Sequence, residues 1–434
     1  MQPEQERHER TIDNSSYRWR CGTLIAPPSI GNLAACGPIS VLVLIFAYPG
    51  YADEGVNTEK GSVQPLTAPF PAVVRTSFAR VRARPENSSP EVGLLREGAA
   101  VTVTSCKPDC ATAQAWALLG NDGAVELKVL NLNTTEVDAA HAPNAESSWY
   151  GRVGKKGITI FKEPRLNGPV LTRKRMNREM AFLPDGELRE KGWLERIEGG
   201  FVRARRVQSL TPSSFQGEIR PHLPIAFVVR DVHALGLNKA NGLHRHDRIP
   251  VLEINRASVA TTIGALPRRN VRIVTLHSPP PSVPVGARWV FVDLAQQTLT
   301  AYEGDIAVYA TLISSGKDYK ESETHAGLYQ VEHKMAFSDM HGESDDPYDV
   351  DRVPYALYFN KNEALHGTYW HDQFGTRASH GCINLALVDA RWLFDWAPPR
   401  LPEHWSTIAP RAAGLTSLWV FIKKRSTLTQ VPRI

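Results

Sequence analysis

The chain has 434 residues, of which 42% are apolar and 22% charged, with 50 Lys/Arg against 45 Asp/Glu. That length exceeds one typical domain and that composition excludes wholesale disorder, so two to four folded units are expected. The net charge of +5 suits an anionic partner without distinguishing nucleic acid, acidic lipid or a cell-wall polymer.

Residues 1–52 read as a leader. Leu33 to Tyr48 (LAACGPISVLVLIFAY) is an apolar run preceded by Arg18 and Arg20 and followed by Pro49-Gly50-Tyr51-Ala52-Asp53. A basic flank, a short apolar stretch and small residues form an export signal. The run is short of the roughly 20 residues of a spanning helix, and an anchor retained near 33–48 or lipidation at Cys36 are the alternatives. All three place the bulk of the chain outside the cytoplasm, in the periplasm or cell envelope. Residues 53–72, rich in Gly, Pro and Thr, read as a linker.

Of five cysteines, Cys21 and Cys36 lie in the leader. Cys106 and Cys110 flank Lys107-Pro108-Asp109, a turn that brings two thiols together, and an oxidising compartment pairs them. A metal site there lacks a second ligand pair. Cys382 is left over, and an odd cysteine in an exported protein signals intermolecular pairing or a reactive thiol.

From residue 73 to 132 short segments of period two (ARVRA, EVGLL, AAVTVTS, AWALL) alternate with turns. This predicts a small antiparallel barrel, and the pattern resembles bacterial Src-homology-3-like modules. Residues 149–210 (WYGRV, GITIF, PVLTRK, GWLERIEGG, FVRARRV) repeat the rhythm. Between Arg152 and Arg206 stand 15 Lys/Arg and 7 Asp/Glu, a local excess larger than that of the whole chain. A solvated charged face and a site for an anionic envelope polymer at 152–206 are both open. Nucleic acid is not expected: the segment offers Phe161, Phe182, Trp193 and Phe201 but no recognisable module, and export argues against it.

Residues 215–285 read as a connecting β segment. It contains GLHRHD, where His244 and His246 share a face if the piece is a strand, with His233 nearby. Histidines in a polar turn are more often surface residues than ligands, so no metal is expected. No cofactor is expected either.

From Trp289 the strands WVFVDL, LTAY and IAVYATLISSGKD follow, with Glu303-Gly304-Asp305 as a hairpin turn. A long polar loop, Gly316 to Pro354, carries Asp345, Asp346, Asp349 and Asp351 and reads as a lid. Then comes YALYFNKNEALHGTYWHDQFGTRASHGCINL, in which a strand ends on His366-Gly367 and Ser379-His380-Gly381-Cys382 turns before an apolar stretch. A cysteine thiol of ordinary pKa is only a few per cent thiolate at neutral pH, about 3%, so a nucleophilic cysteine needs a base or a positive potential. His366 is close enough along the chain for a strand and returning loop to supply that base. Gly381 allows close backbone approach, and the amides of Gly381 and Cys382 can face one developing oxyanion. A buried core thiol with structural histidines is the alternative, and His-Gly pairs are poor core composition.

Residues 286–425 resemble the L,D-transpeptidase catalytic domain, whose signature is an upstream His-Gly followed by Ser/Thr-His-Gly-Cys. The resemblance rests on VDLAQQTLTAY, ISSGK and SHGCINL. It implies a mainly β chain, with a β-sandwich-like catalytic domain preceded by one or two SH3-like barrels. It implies Cys382 as nucleophile, His366 as general base and the carbonyl of Gly367 orienting the ring, with Ser379 and His380 shaping the pocket. Tyr358, Asn360 and Asn384 fall at less diagnostic substrate-binding positions. The expected substrates are peptidoglycan stem peptides and the reaction acyl transfer through a thioester, with a hydrolase on the same site or an inactive wall-binding protein as the rivals. Sortase-like chemistry also uses Cys and His, but it would call for a catalytic Arg and lacks this His-Gly-Cys context. Two departures stand out: Asn384 where many members carry Arg, and Thr324-His325-Ala326-Gly327 where the family has Thr-Pro-x-Gly.

Overall fold

The fold is taken from a computed structural model, which describes residues 68–424 apart from 113, 121–122, 133–144, 146–147, 155, 175–177, 185, 233–241, 320–321 and 343–346. The expected export segment, Cys21, Cys36, His233, Asp345 and Asp346 lie outside the described residues. Among those described, no helix is long and apolar enough to cross a membrane.

The architecture is mainly β. The C-terminal part is a sandwich whose first sheet runs Glu218–Ile219, Ile306–Leu312, Thr298–Glu303, Arg288–Asp293, Trp419–Lys423 and Gly327–Gln330 in spatial order. Arg288–Asp293 has five consecutive buried residues because both of its faces are covered. Val290 and Val292 face the central core, while Trp289 and Phe291 pack on the other side with Tyr302. The expected hairpin at Glu303-Gly304-Asp305 joins two antiparallel strands of this sheet.

The second layer pairs His333–Gly342 with the 13-residue strand Tyr348–Asn360, which then pairs Glu363–Gly367, itself parallel to Ile383–Leu385. Leu357, Phe359, Leu365, Ile383 and Leu385 close the core against the first sheet. The helix Leu387–Trp396 covers one side through Ala390, Leu393 and Phe394, positions spaced three and four apart as an amphipathic helix requires. Its C-terminal end is capped by a buried ammonium: Lys334 Nζ donates to the carbonyls of Phe394, Ala397 (2.8 Å) and Pro399 (2.9 Å).

The expected lid between Gly316 and Pro354 is mostly not a loop. Three strands occupy Gly327–Gln330, His333–Gly342 and the start of Tyr348–Asn360. Charged residues stand in these strands, and Lys334, Asp351 and Arg352 among them are buried. Two aspartates of the expected lid are structural. Arg178 pairs with both Asp349 and Asp351, and Arg196 Nη2 reaches Asp351 Oδ2 at 3.1 Å.

Neither N-terminal module stands apart. Arg178–Phe182 joins Tyr348–Asn360 in parallel at Glu179 and Val350, so the module at 149–210 extends the catalytic sheet. On the opposite side Glu91–Arg96 pairs antiparallel with Trp405–Ile408, joining the module at 70–131 to the same sheet. A Cβ at Gly93 would lie 2.2 Å from the Trp405 ring, so only glycine permits this approach. Cys106 and Cys110 form a disulfide at the rim of that module.

The stretch expected as a mere connector holds a five-stranded sheet, in the order Gly264–Pro267, Ser258–Thr261, Arg248–Ile254, Ile225–Val228 and Val271–Val274. It has its own core around Val228, Val251, Val259 and Leu266. Phe227 and Val229 pack on Leu312 and Phe374 of the sandwich. His244 and His246 diverge toward Asp231 and Asp372, and no group of three or more His, Cys, Asp or Glu is placed to hold a metal among the described residues.

Candidate active site

The parallel register places His366 opposite Asn384 and Leu365 opposite Ile383, so Cys382 enters level with Ala364. Ala364 and His366 are two apart and share a sheet face, which puts the Cys382 side chain on the face of the imidazole. Cys382 is the free cysteine of the described residues, half-buried, and its Sγ–H donates to the carbonyl of Asn362 at 3.5 Å.

His366 is buried, and its Nδ1 meets the carbonyl of Gly367 at 3.0 Å. A carbonyl can only accept, so Nδ1 carries the proton and Nε2 keeps its lone pair. The Trp370 ring stacks on the imidazole with centroids 5.8 Å apart. Burial lowers the His366 pKa to about 4, partly offset by the Gly367 bond. Burial pushes the Cys382 thiol up to about 11, partly offset by a backbone hydrogen bond at Ala364 and reinforced by the negative charge of Glu363. Both shifts favour a neutral thiol and a neutral imidazole in the resting pair.

The turn before Cys382 is tied down by hydroxyls. Ser379 Oγ donates to the Cys382 carbonyl and accepts from the Gly381 N–H at 3.2 Å. In this conformation the Gly381 amide donates to Ser379, so the tight turn satisfies its own donor. Gly381 itself has φ +121, a conformation that side chains rarely adopt. Its carbonyl accepts from Thr324 Oγ1 at 2.7 Å, and Thr324 Oγ1 in turn accepts from the Gly316 N–H at 2.9 Å. The His380 ring stacks on Tyr348 at 4.7 Å.

Tyr358 shares one hydrophobic cluster with Cys382, Tyr348 and Trp370, and its hydroxyl meets Ser338 Oγ at 2.8 Å. Asn360 pairs with Glu363 across the turn leading to His366. The Asn384 amide meets His371 Nε2 at 2.9 Å, while the Gln373 N–H donates to His371 Nδ1 at 3.2 Å. The Asn384 atom at Nε2 is the amide nitrogen Nδ2, and its amide oxygen is buried without a hydrogen-bond partner among the described residues. Burial and the neighbouring His366 lower the His371 pKa to about 4.

Several of these residues escaped the sequence reading. Tyr348 sits close enough to Cys382 for the sulfur's charge to help burial push its phenol up to about 12. Trp370 and His371 follow the His-Gly pair directly, so the aromatic run Tyr369-Trp370-His371 was the available signal. Glu363 had none, since it meets His325 only across the fold, while His325 stood out only as the departure within Thr324-His325-Ala326-Gly327.

The L,D-transpeptidase catalytic domain family (YkuD) matches over residues 287–405, which include both Cys382 and His366. The YciB protein of Bacillus subtilis (strain 168), whose name assigns it provisionally as an L,D-transpeptidase, is 29% identical over 125 residues, 27% of this chain and 62% of that protein. A crystal structure of an Enterococcus faecium L,D-transpeptidase mutant is 22% identical, covering 32% of this chain and 50% of its own, with a TM-score of 0.25. The L,D-transpeptidase LdtMt1 in complex with imipenem is 17% identical, covering 50% and 89%, with a TM-score of 0.26. The chain thus spans less than two thirds of the first two of these proteins. Residues 287–405, which hold the His-Gly and Ser-His-Gly-Cys signatures, form a YkuD-like L,D-transpeptidase catalytic domain.

Proposed function

We propose that the protein is an L,D-transpeptidase acting on peptidoglycan stem peptides through a Cys382 acyl-enzyme. The observation that carries this reading is the tethered imidazole: His366 Nδ1 on the Gly367 carbonyl leaves Nε2 as the acceptor on the face of Cys382. In the first step Sγ attacks the carbonyl of the third residue of a tetrapeptide stem, and its proton passes to His366 Nε2. The bond to the terminal D-alanine breaks, and the leaving amine takes that proton from the imidazole. In the second step an acceptor amine attacks the thioester, giving its proton to Nε2; the C–S bond breaks and sulfur regains the proton. Splitting the transfer this way replaces one slow aminolysis by two easier steps. Proton transfer accompanies attack, because the resting pair is uncharged. The Cys382 N–H is the oxyanion donor in this scheme, joined by Gly381 N–H once it leaves Ser379. Tyr358, Asn360 and His380 line the approach for the donor stem.

The small modules at 73–132 and 149–210 are read as SH3-like barrels of an exported envelope enzyme, and the Cys106–Cys110 disulfide supports an oxidising compartment. Binding of an anionic envelope polymer by residues 152–206 is supported by a groove of about 670 Å³ lined by Lys156, Arg173, Lys174, Arg203, Arg205 and Arg206, with no acidic residue among the described residues that line it.

Mass spectrometry of products from a purified tetrapeptide stem, with and without a diamino-acid acceptor, tests the reading. A cross-linked product minus D-alanine supports it. Stem trimming that ignores the acceptor replaces it with hydrolysis, and no conversion with either rejects it.

A further inference from the structure

Three arginines stand without a counter-charge where the five-stranded sheet meets the catalytic sandwich. Arg268 and Arg269 belong to the short turn Arg268–Asn270, and Arg272 lies on the strand Val271–Val274 that follows it. With Ala295 and Gln296, from the turn between two sandwich strands, they line an open concavity of about 480 Å³. No acidic residue is among the described residues that line it, and none of the three guanidinium groups makes an ion pair among the described residues. Asp293, whose charge reaches Arg268, is buried, and its Oδ1 accepts from the N–H groups of Ala295 (2.8 Å) and Gln296 (2.9 Å).

A solvated charged face leaves its arginines extended in water, whereas two of these are tied down. Arg272 donates from Nε to the carbonyl of Gly375 at 2.8 Å and from Nη1 to that of Val271 at 3.0 Å. Arg268 Nη1 donates to Gln296 Oε1 at 3.3 Å, and the same oxygen is fixed by the Ile273 N–H at 3.0 Å. These bonds engage part of each guanidinium fork and leave its other N–H donors for a ligand. The Arg269 side chain has no hydrogen bond among the described residues. Burial lowers the pKa of Arg268 and of Arg272, and the charges of Arg268 and Arg230 lower that of Arg272 further. Both groups stay protonated at neutral pH, so the fold holds half-buried cations close together with nothing to neutralise them.

A carboxylate brings one charge and matches one fork. A phosphate group brings up to two charges and three acceptor oxygens pointing in different directions, which suits several forks converging from two parts of the chain. The concavity is larger than a phosphate ion and within the range of small-molecule sites. We propose that it is a phosphate-binding site, in which Arg268, Arg269 and Arg272 hold the phosphate group of a small molecule across the junction of the five-stranded sheet and the catalytic sandwich. The site is separate from the thiol chemistry, so it stands or falls independently of the transpeptidase reading.

Calorimetric titration of the full chain at neutral pH tests it, with inorganic phosphate, glycerol phosphate and acetate as probes and the ionic strength fixed by sodium chloride. Saturable binding of a phosphate probe is expected, weakened about 10-fold in Arg269→Gln by the loss of one charge-assisted contact and abolished in the double variant Arg268→Gln/Arg269→Gln. Arg269 has no protein partner to lose, so the single variant reads binding even if the double variant does not fold. Tighter binding of glycerol phosphate supports the site with a phosphomonoester as its ligand, and tighter binding of inorganic phosphate supports it with the free ion. Wild-type affinity in Arg269→Gln overturns the proposal, as do acetate binding as tight as phosphate binding and the absence of any phosphate binding. Phosphate binding that survives in Arg269→Gln and is lost in Arg205→Gln/Arg206→Gln places the ion in the basic groove instead and also overturns it.

Discussion

Arg152 Nη2 donates to the carbonyl of Trp370 at 3.1 Å, while its Nε is held by Glu179 at 2.7 Å. Trp370 is the residue whose ring stacks on His366, so a side chain of the 149–210 module braces the wall of the catalytic imidazole. Tyr150 adds to this by stacking on Tyr369 with centroids 3.9 Å apart. The module is thus a structural part of the site rather than a detachable tether.

Removing residues 149–210 should therefore abolish turnover of small soluble stems as well as of intact wall. Deletion would bare Tyr369, strip both arginine partners from Asp351 and open the sheet edge at Val350. Steady-state assay on a soluble stem checks this, and full activity in a folded deletion protein would show the module to be an independent anchor. Arg152→Ala, a milder change, should lower acylation without unfolding the chain.

Asp351 is 3% exposed and lies between Arg178 and Arg196. Asp351→Ala leaves two buried guanidinium groups without their shared counter-charge and should cost about 3–5 kcal/mol of stability. Chemical denaturation measures it; a loss below about 1 kcal/mol would mean that water reaches the arginines.

Thr324 holds the Gly381 carbonyl and the Gly316 amide with one hydroxyl and is 1% exposed. Thr324→Val keeps the shape and removes both bonds, so a loss of about 1–3 kcal/mol and slower acylation are expected. Thr324→Ser should restore most of both, measured by thermal unfolding and by the rate of acyl-enzyme formation.

The pH dependence of acylation follows from the two shifted groups. With His366 at about 4 and Cys382 at about 11, the productive form is neutral imidazole plus neutral thiol. Protonating Nε2 removes the base, so the rate should fall only as pH drops through about 4 and stay level from about 5 to 10. A stopped-flow profile with an acylating β-lactam reads this directly. An inflection near pH 7–8 would instead indicate a thiolate–imidazolium pair.

The chemistry was more legible in the sequence than the assembly. His366, Gly367 and the Ser379–Cys382 turn stand out because the proposed nucleophile and base, and a positive-φ glycine, need those residue types at close spacing. The hairpin at Gly304 was legible for the same local reason. What could not be read were partnerships across long stretches of chain. Asp349 and Asp351 look like solvent-facing loop residues until Arg178 arrives from more than 170 positions upstream. The excess of basic charge at 152–206 looks like a surface, yet Arg178 and Arg196 are buried in ion pairs. Local alternation also concealed that Glu91–Arg96 and Arg178–Phe182 complete a sheet with distant strands, since period two is the same whether the partner is near or far.

The central claim is that Cys382 carries the acyl group. Intact-mass spectrometry of the wild type and of Cys382→Ser after incubation with a carbapenem, which resembles the acyl donor, tests it most directly. One covalent adduct is expected on the wild type, located to the peptide containing Cys382, and none on the folded Ser variant. An adduct of equal yield on Cys382→Ser, or one on the wild type located elsewhere, would contradict it.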